Sequence, residues 1–333
     1  MNPFTKSSEA HFCSVVSKTN GEDPIGSAGN YDQWFVLETP PPWIEEFWRE
    51  IPALQPMLAV AKQRMERDGL KMRPFAIASD REYSQNIPQG WMRLIHYRRP
   101  GLFFARFEKQ EYILPKEQVS NLAIALLNNN QQQLAAFQKF RQETNHIRDL
   151  LVCTHGNVDV ACSRFGYPIY KQLRSEYAPA SPDNLRVWQC SHFGGHRFAP
   201  TLIDLPEGRY WGHLEPGMLD TLVWQQGDVG TLRSFYRGWA GLTQIEQIAE
   251  CEIWMQEGWS WLNYQKKGKI LDMDRENREW ADIQLDFTDS QQNISGQYTA
   301  RVEVSHTVDT MGESGDEQTT HLKQYQVRHL VKK

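Results

Sequence analysis

Two pairs of soft donors, each placed just after a strand-like run, restrict the fold more than any other feature of this chain. Cys153 and Cys162 stand with eight residues between them, and His192 and His196 follow in the run His192-Phe193-Gly194-Gly195-His196. Asp149–Cys153 and Leu185–Gln189 are apolar and β-prone, so each pair begins at the carboxyl end of a predicted strand. Neighbouring parallel strands would bring both loops to the same sheet edge, where open α/β sheets bind ligands. Gly156, Gly194 and Gly195 let the backbone bend past a bulky inorganic group. Two thiolates and two imidazoles can close a four-ligand metal site. Zinc accepts His-x3-His, but its cysteine pairs usually lie two to four residues apart. The wider cysteine loop here fits an iron–sulfur cluster better, and zinc stands as the alternative.

Composition narrows the function classes. The chain has 333 residues, the size of about two ordinary domains. Lys plus Arg number 36 and Asp plus Glu 41, a net charge of −5, which disfavours a general nucleic-acid binder. The longest aliphatic run, Leu122–Leu127, is far short of the roughly 20 residues that cross a bilayer, so no membrane span is expected. The opening residues lack a basic segment followed by an apolar one, so no secretory leader is expected either. Five scattered cysteines, with no Cys-x-x-Cys pair, argue against a disulfide scaffold and a thioredoxin-type dithiol. The expected compartment is the reducing cytoplasm.

Three units are expected: 10–145, an N-terminal α/β unit; 146–258, carrying the donor pairs; and 259–333, an antiparallel β appendage separate from the redox unit. In the first, Trp34–Glu38 reads as a strand and Pro56–Asp68 as a helix stopped by Gly69. Strands at Phe75–Ala78, Met92–Tyr97 and Leu102–Phe107 follow, the last two around a turn at Arg98–Gly101. A helix over 117–127 leads to the polar tract Asn128–Gln133, then a second helix over 134–143. The second unit continues with a helix over 166–177, with Pro168 in its first turn. A hairpin at 202–214 turns on Pro206-Glu207-Gly208, and a helix spans 218–225. Both units show strand, helix, strand, hairpin, helix, which predicts two thioredoxin-like units, the first degenerate. A helix at 245–256 and strands at 281–287, 298–307 and 321–330 complete the reading, with a polar turn or loop at 312–317.

The phrases Val152-Cys153-Thr154-His155-Gly156 and Cys190-Ser191-His192-Phe193-Gly194-Gly195-His196 resemble the sucrase/ferredoxin-like family. These proteins are thioredoxin-like ferredoxins with histidine in place of the second cysteine pair. Gly21–Ala28 and Pro41-Pro42-Trp43 also look like that family's bacterial branch, and the resemblance spans about residues 10–255. It implies a 2Fe–2S cluster held by Cys153 and Cys162 on one side and by His192 and His196 on the other. It also implies one-electron transfer with a transient redox partner protein. Two ferric ions, two sulfides and two thiolates sum to zero formal charge, whereas four thiolates would leave two negative charges. The potential should therefore lie above the about −400 mV of plant-type ferredoxins, toward the Rieske range. A ligating imidazole keeps one nitrogen that can exchange a proton, so electron transfer is expected to couple to protonation. No carboxylate pair stands out as a glycosidase acid and nucleophile, so sucrose hydrolysis is not expected. A cluster feeding a substrate pocket between the two units, as in an oxidoreductase, is the remaining alternative.

Other residues near the motif have blander readings. Cys190 and Cys251 are expected in the core, and Cys13 as a thiol packed between units without a partner by spacing. His155 is an alternative ligand, and His213 is expected to be structural. Asp159 can shape the cysteine loop or hydrogen-bond an imidazole. Arg164 and Arg197 read as solvated surface or as docking groups for an anionic partner.

Overall fold

The computed structural model of the chain describes residues 12–289, 291 and 293–333. Residues 10 and 11 of the expected first unit, and residues 1–11 of the stretch read for a leader, lie outside the described residues. The elements in chain order are α1 (Cys13–Thr19), β1 (Gln33–Glu38), α2 (Gln55–Asp68), β2 (Met72–Ile77), β3 (Trp91–Arg98), β4 (Glu108–Pro115), α3 (Val119–Leu127), α4 (Gln131–Ala135) and β5 (Arg141–Gln142). Then come β6 (Arg148–Cys153), α5 (Val160–Gln172), β7 (Leu185–Cys190), β8 (Leu202–Leu205), β9 (Arg209–Trp211), α6 (Leu219–Trp224), β10 (Tyr236–Trp239) and α7 (Gln244–Glu257). Strands β11 (Gln265–Met273), β12 (Trp280–Thr288), β13 (Ser295–Met311) and β14 (Thr319–Lys332) end the chain.

Strands β1 to β10 build one mixed sheet in the order β10-β9-β8-β6-β7-β2-β1-β3-β4-β5. In the first half β1 runs parallel to β2 and antiparallel to β3, which pairs antiparallel with β4. In the second, β6 runs parallel to β7 and antiparallel to β8, which pairs antiparallel with β9. Each half thus repeats one strand order, and each parallel pair is joined by a helix, α2 or α5, as a parallel crossover requires. The halves meet where the carboxyl ends of β2 and β7 pair antiparallel, Ile77 opposite Cys190. Both donor loops leave the sheet beside that seam.

Alternation in β1 shows how the core is divided. Phe35 and Leu37 face Met57 and Ala61 of α2 and Leu122 and Leu126 of α3, while Trp34 and Val36 face a larger core shared with the second half. Burial on both faces gives β1 its unbroken apolar run. Gly69 ends α2 in the left-handed region, its N–H donating to the Met65 carbonyl at 3.1 Å.

Several elements differ from the sequence expectation. Residues 102–107 are loop, and the strand lies at 108–115 instead. Phe104 and Phe107 are buried because their rings pack on Trp239 and Trp34, at centroid distances of 4.8 and 4.5 Å. The true strand reads as polar because Lys109 and Glu111 are buried in an ionic network. Asp149 is its hub, accepting from Tyr97 Oη at 2.6 Å, Arg186 Nε at 2.9 Å, Trp188 Nε1 at 2.8 Å and the Lys109 ammonium. The helix expected over 134–143 is only the short α4, capped by Asn130 through Gln133 N, and then the edge strand β5. Helix α5 starts at Val160, six residues before the expected start, so Pro168 lies inside it rather than in its first turn.

Strands β11 to β14 form a separate four-stranded antiparallel sheet. Its first strand, rich in lysine, was hidden from a periodicity reading. The expected C-terminal antiparallel β region is thus a sheet of its own, and the tip between β13 and β14 reaches α1 and the cysteine loop, where Ser314 meets Cys13 and Asp159. Among the described residues no helix is long and apolar enough to cross a membrane.

Candidate metal centre

Cys153 is the last residue of β6, and Cys162 lies in the first turn of α5. Gly166 brings them together. A β-carbon there would lie 2.1 Å from the Cys153 carbonyl oxygen, so only glycine lets α5 press this closely on the strand end. Asp159 starts the helix, accepting from Ala161 N at 2.8 Å. Both sulfurs are buried. His192, two residues beyond β7, faces them with Nδ1, 3.9 Å from Cys153 Sγ and 3.8 Å from Cys162 Sγ. The donor atoms of these three residues lie within 4.8 Å of one another. Gly194 N donates to His192 Nε2 at 3.1 Å, so the neutral ring carries its proton on Nδ1 and points that donor at the sulfurs.

Burial pushes the Cys153 thiol up, but hydrogen bonds from Cys162 and His192 and the nearby imidazole outweigh it and hold its pKa well below the usual thiol value. Cys162 is held well above, because its thiol donates to Cys153 and is itself buried.

His196, the fourth expected ligand, is adjacent but engaged elsewhere. Its ring lies 5.5 Å from that of His192, and its Nδ1 stands 3.4 Å from both Asp159 Oδ2 and Cys13 Sγ. Asp159 is tied further by Ser314, which donates from N at 2.8 Å and from Oγ at 2.7 Å. Burial raises the Asp159 carboxyl, but these donors and Ala161 N hold it below the usual carboxylate range. Burial pushes the Cys13 thiol up to about 12, so it is neutral beside the carboxylate. Cys13, Asp159 and His196 form a second triplet of candidate donors beside the first.

His155 orders the loops. Its Nε2 donates to the Trp43 carbonyl at 2.7 Å while Nδ1 accepts from His192 N at 3.1 Å, so both nitrogens are occupied by backbone. Asn157 Nδ2 also donates to Trp43 O at 2.7 Å. The Pro41-Pro42-Trp43 phrase is therefore a wall of the cysteine loop.

Arg237 is a contributor that spacing did not reveal. Its guanidinium is buried without a carboxylate partner among the described residues. Nη1 donates to Gly194 O at 3.0 Å, Nη2 to Ser27 O at 2.7 Å and Nε to Ser27 Oγ at 2.9 Å. Gly195, at φ +80°, could not carry a β-carbon, which would lie 2.3 Å from Arg237 Nη2. Burial pulls the guanidinium down to about 10, while Tyr210, Cys153 and Cys162 favour its charge. A buried cation without a counter-ion is costly. A thiolate-ligated group beside it would supply negative charge, so the donor set and the unpaired cation both suit a cluster that becomes anionic on reduction. The Gly21–Ala28 phrase is the cradle of Arg237 through Ser27.

Other expected positions fall into place. Cys190 and Cys251 are fully buried, and burial pushes both thiols well above their usual value. Arg197 pairs with the buried Glu22 at 2.6 Å, and Arg164 is exposed. His213 is buried, its Nε2 3.2 Å from Ser17 Oγ. Cys13, expected as a packed thiol without a partner, meets Asp159 from 146 positions away along the chain, and Ser314, which the sequence reading did not single out, meets it from 155.

The sequence profile of the sucrase/ferredoxin-like family matches residues 24–238. That span includes both halves of the large sheet, both donor pairs, Ser27 and Arg237, and leaves out α1 and the β13–β14 tip. No curated protein and no solved structure matches the chain. With well over half of its length matched, the chain belongs to the sucrase/ferredoxin-like family.

Proposed function

We propose that the protein is a one-electron carrier whose 146–258 unit, a thioredoxin-like ferredoxin domain, holds a 2Fe–2S cluster. The division into 10–145, 146–258 and 259–333, with the first a degenerate thioredoxin-like unit, belongs to the same reading, and the repeated strand order supports it. Cys153 and Cys162 are the thiolate ligands. His192 ligates through Nδ1, the nitrogen facing both sulfurs, with its ring proton moved to Nε2 and the Gly194 N–H contact released, and His196 through Nε2, the nitrogen that Asp159 and Cys13 leave free. Such a cluster supplies reversible storage of one electron. The chain's own groups do the rest. Asp159 orients the His196 imidazole, His155 holds the His192 backbone, and Arg237 offsets negative charge in the buried loop. Docking of the partner protein is transient, as redox encounters bury little area.

The observation that carries this reading is the convergence of two thiols and an imidazole beside a buried, unpaired arginine. The close approach of Cys153, Cys162 and His192 to one another also suits a single zinc ion, and that is the second reading. Anaerobic reconstitution of the full chain followed by metal and sulfide analysis separates them. About two iron and two sulfide per chain, with visible charge-transfer bands, are expected for the binuclear core. Colourless protein holding one zinc and no sulfide overturns the proposal.

A further inference from the structure

Beside His192 a cleft of about 880 Å³ opens between α2 and β2. Leu58, Ala59 and Met65 of α2, Met72 and Pro74 of β2, and the aromatic Tyr31 and Trp48 are among its lining residues. The volume is in the range of small-molecule sites. Half-buried His192 is among the lining residues, and its Nδ1 is turned to Cys153 and Cys162.

The charges in the cleft are unequal. Arg49 is paired with Glu46 at 2.9 Å, and Lys62 stands 3.9 Å from Glu66. Arg73 has no carboxylate partner among the described residues. It donates to neutral oxygens, Tyr31 Oη at 3.0 Å and His192 O at 3.2 Å, and its guanidinium lies 5.9 Å from the centroids of the Tyr31 and Phe75 rings. The uncompensated cation therefore sits next to His192, in a lining that also offers apolar and aromatic side chains. Glu45, exposed at the mouth, opposes a ligand with several negative charges.

We infer that this cleft binds a planar aromatic monoanion, its charge on Arg73 and its ring between the α2 wall and β2, in contact with His192. The inference rests on the proposed centre for its redox meaning, since it gives a small aromatic molecule access to a ligand histidine. Binding itself needs no metal and is tested without one.

Full-length metal-free protein is titrated with anthraquinone-2-sulfonate by calorimetry, with a neutral anthraquinone and inorganic triphosphate as controls. One saturable site is expected, with affinity at least tenfold weaker for Arg73→Met and for the neutral analogue, no site for triphosphate, and loss of binding in Ala59→Trp. Ala59 is exposed in the cleft, so that variant fills space without disturbing the core. The absence of saturable binding, or equal affinity in wild type, Arg73→Met and Ala59→Trp, overturns the inference. Iron and sulfide content, measured separately on reconstituted protein, reports on the centre whatever the cleft does.

Discussion

Arg237 and Asp159 carry opposite charges on two sides of the same histidine loop, and each is held for a different reason. Asp159 is a helix cap that also faces His196, so its charge is satisfied by N–H and O–H donors. Arg237 is satisfied only by neutral oxygens, so any negative charge gained at the cysteine pair lowers its cost of burial. Arg237→Gln should retain the donor side-chain amide but remove the cation. The reconstituted variant is expected to show a midpoint potential lower by at least about 59 mV, a tenfold change in the one-electron equilibrium. An unchanged potential in spectroelectrochemical titration would show that Arg237 does not act on the centre. At this scale Cys153, Cys162 and His192 were legible because their spacing is local to two loops. Arg237 was not, since a lone arginine distant in sequence looks like surface until its burial is known.

The β13–β14 hairpin shows what an element can hide. The alternation of its sheet was legible, as period two survives in the neighbouring β12 at Ala281, Ile283, Leu285 and Phe287, all buried. Its destination was not, because the contact runs from a polar tip, Ser314, to a buried carboxylate in another unit. Strand β4 stayed hidden for a related reason: buried Lys109 and Glu111 mimic a solvated surface in sequence. Ser314→Ala removes the hydroxyl that donates to the Asp159 carboxylate and accepts from Cys13 N, and urea unfolding should show a loss of about 1.5–3 kcal/mol, the size of a hydrogen bond to a charged group. Stability equal to wild type would mean the tip does not anchor on Asp159. The helix α5 start was misplaced because Val160 and Ala161 read as loop between ligands, whereas Asp159 caps them into the helix.

Across the whole molecule, both halves of the sheet bury histidines that the fold keeps neutral. Burial, with the Arg98 charge adding to it, pulls His96 down to about 3, and burial with the Lys18 and Arg237 charges pulls His213 to about 4. A free imidazole titrates near about 6.5, so in mild acid the unfolded chain takes up protons that the folded chain refuses. Their contribution to stability is full above about pH 6.5 and is lost as pH falls toward the folded values, at about 1.4 kcal/mol per pH unit for each histidine. Denaturant midpoints between pH 7 and 4.5 should follow that slope, and His96→Gln or His213→Gln should each flatten it. Slopes unchanged from wild type in both variants would contradict the assignment. The repeated strand order was legible from element sequence alone, but the joining of the halves at Ile77 and Cys190 was not, because one short antiparallel contact leaves no periodic trace.

The most direct test of two thiolates and two imidazoles on one binuclear core is the nitrogen hyperfine spectrum of the reduced, reconstituted protein. Two strongly coupled histidine nitrogens are expected in wild type, and one in His196→Cys, which should keep the cluster at a lower potential. A reduced wild-type spectrum with no coupled nitrogen, or the same two nitrogens persisting in His196→Cys, would contradict the account.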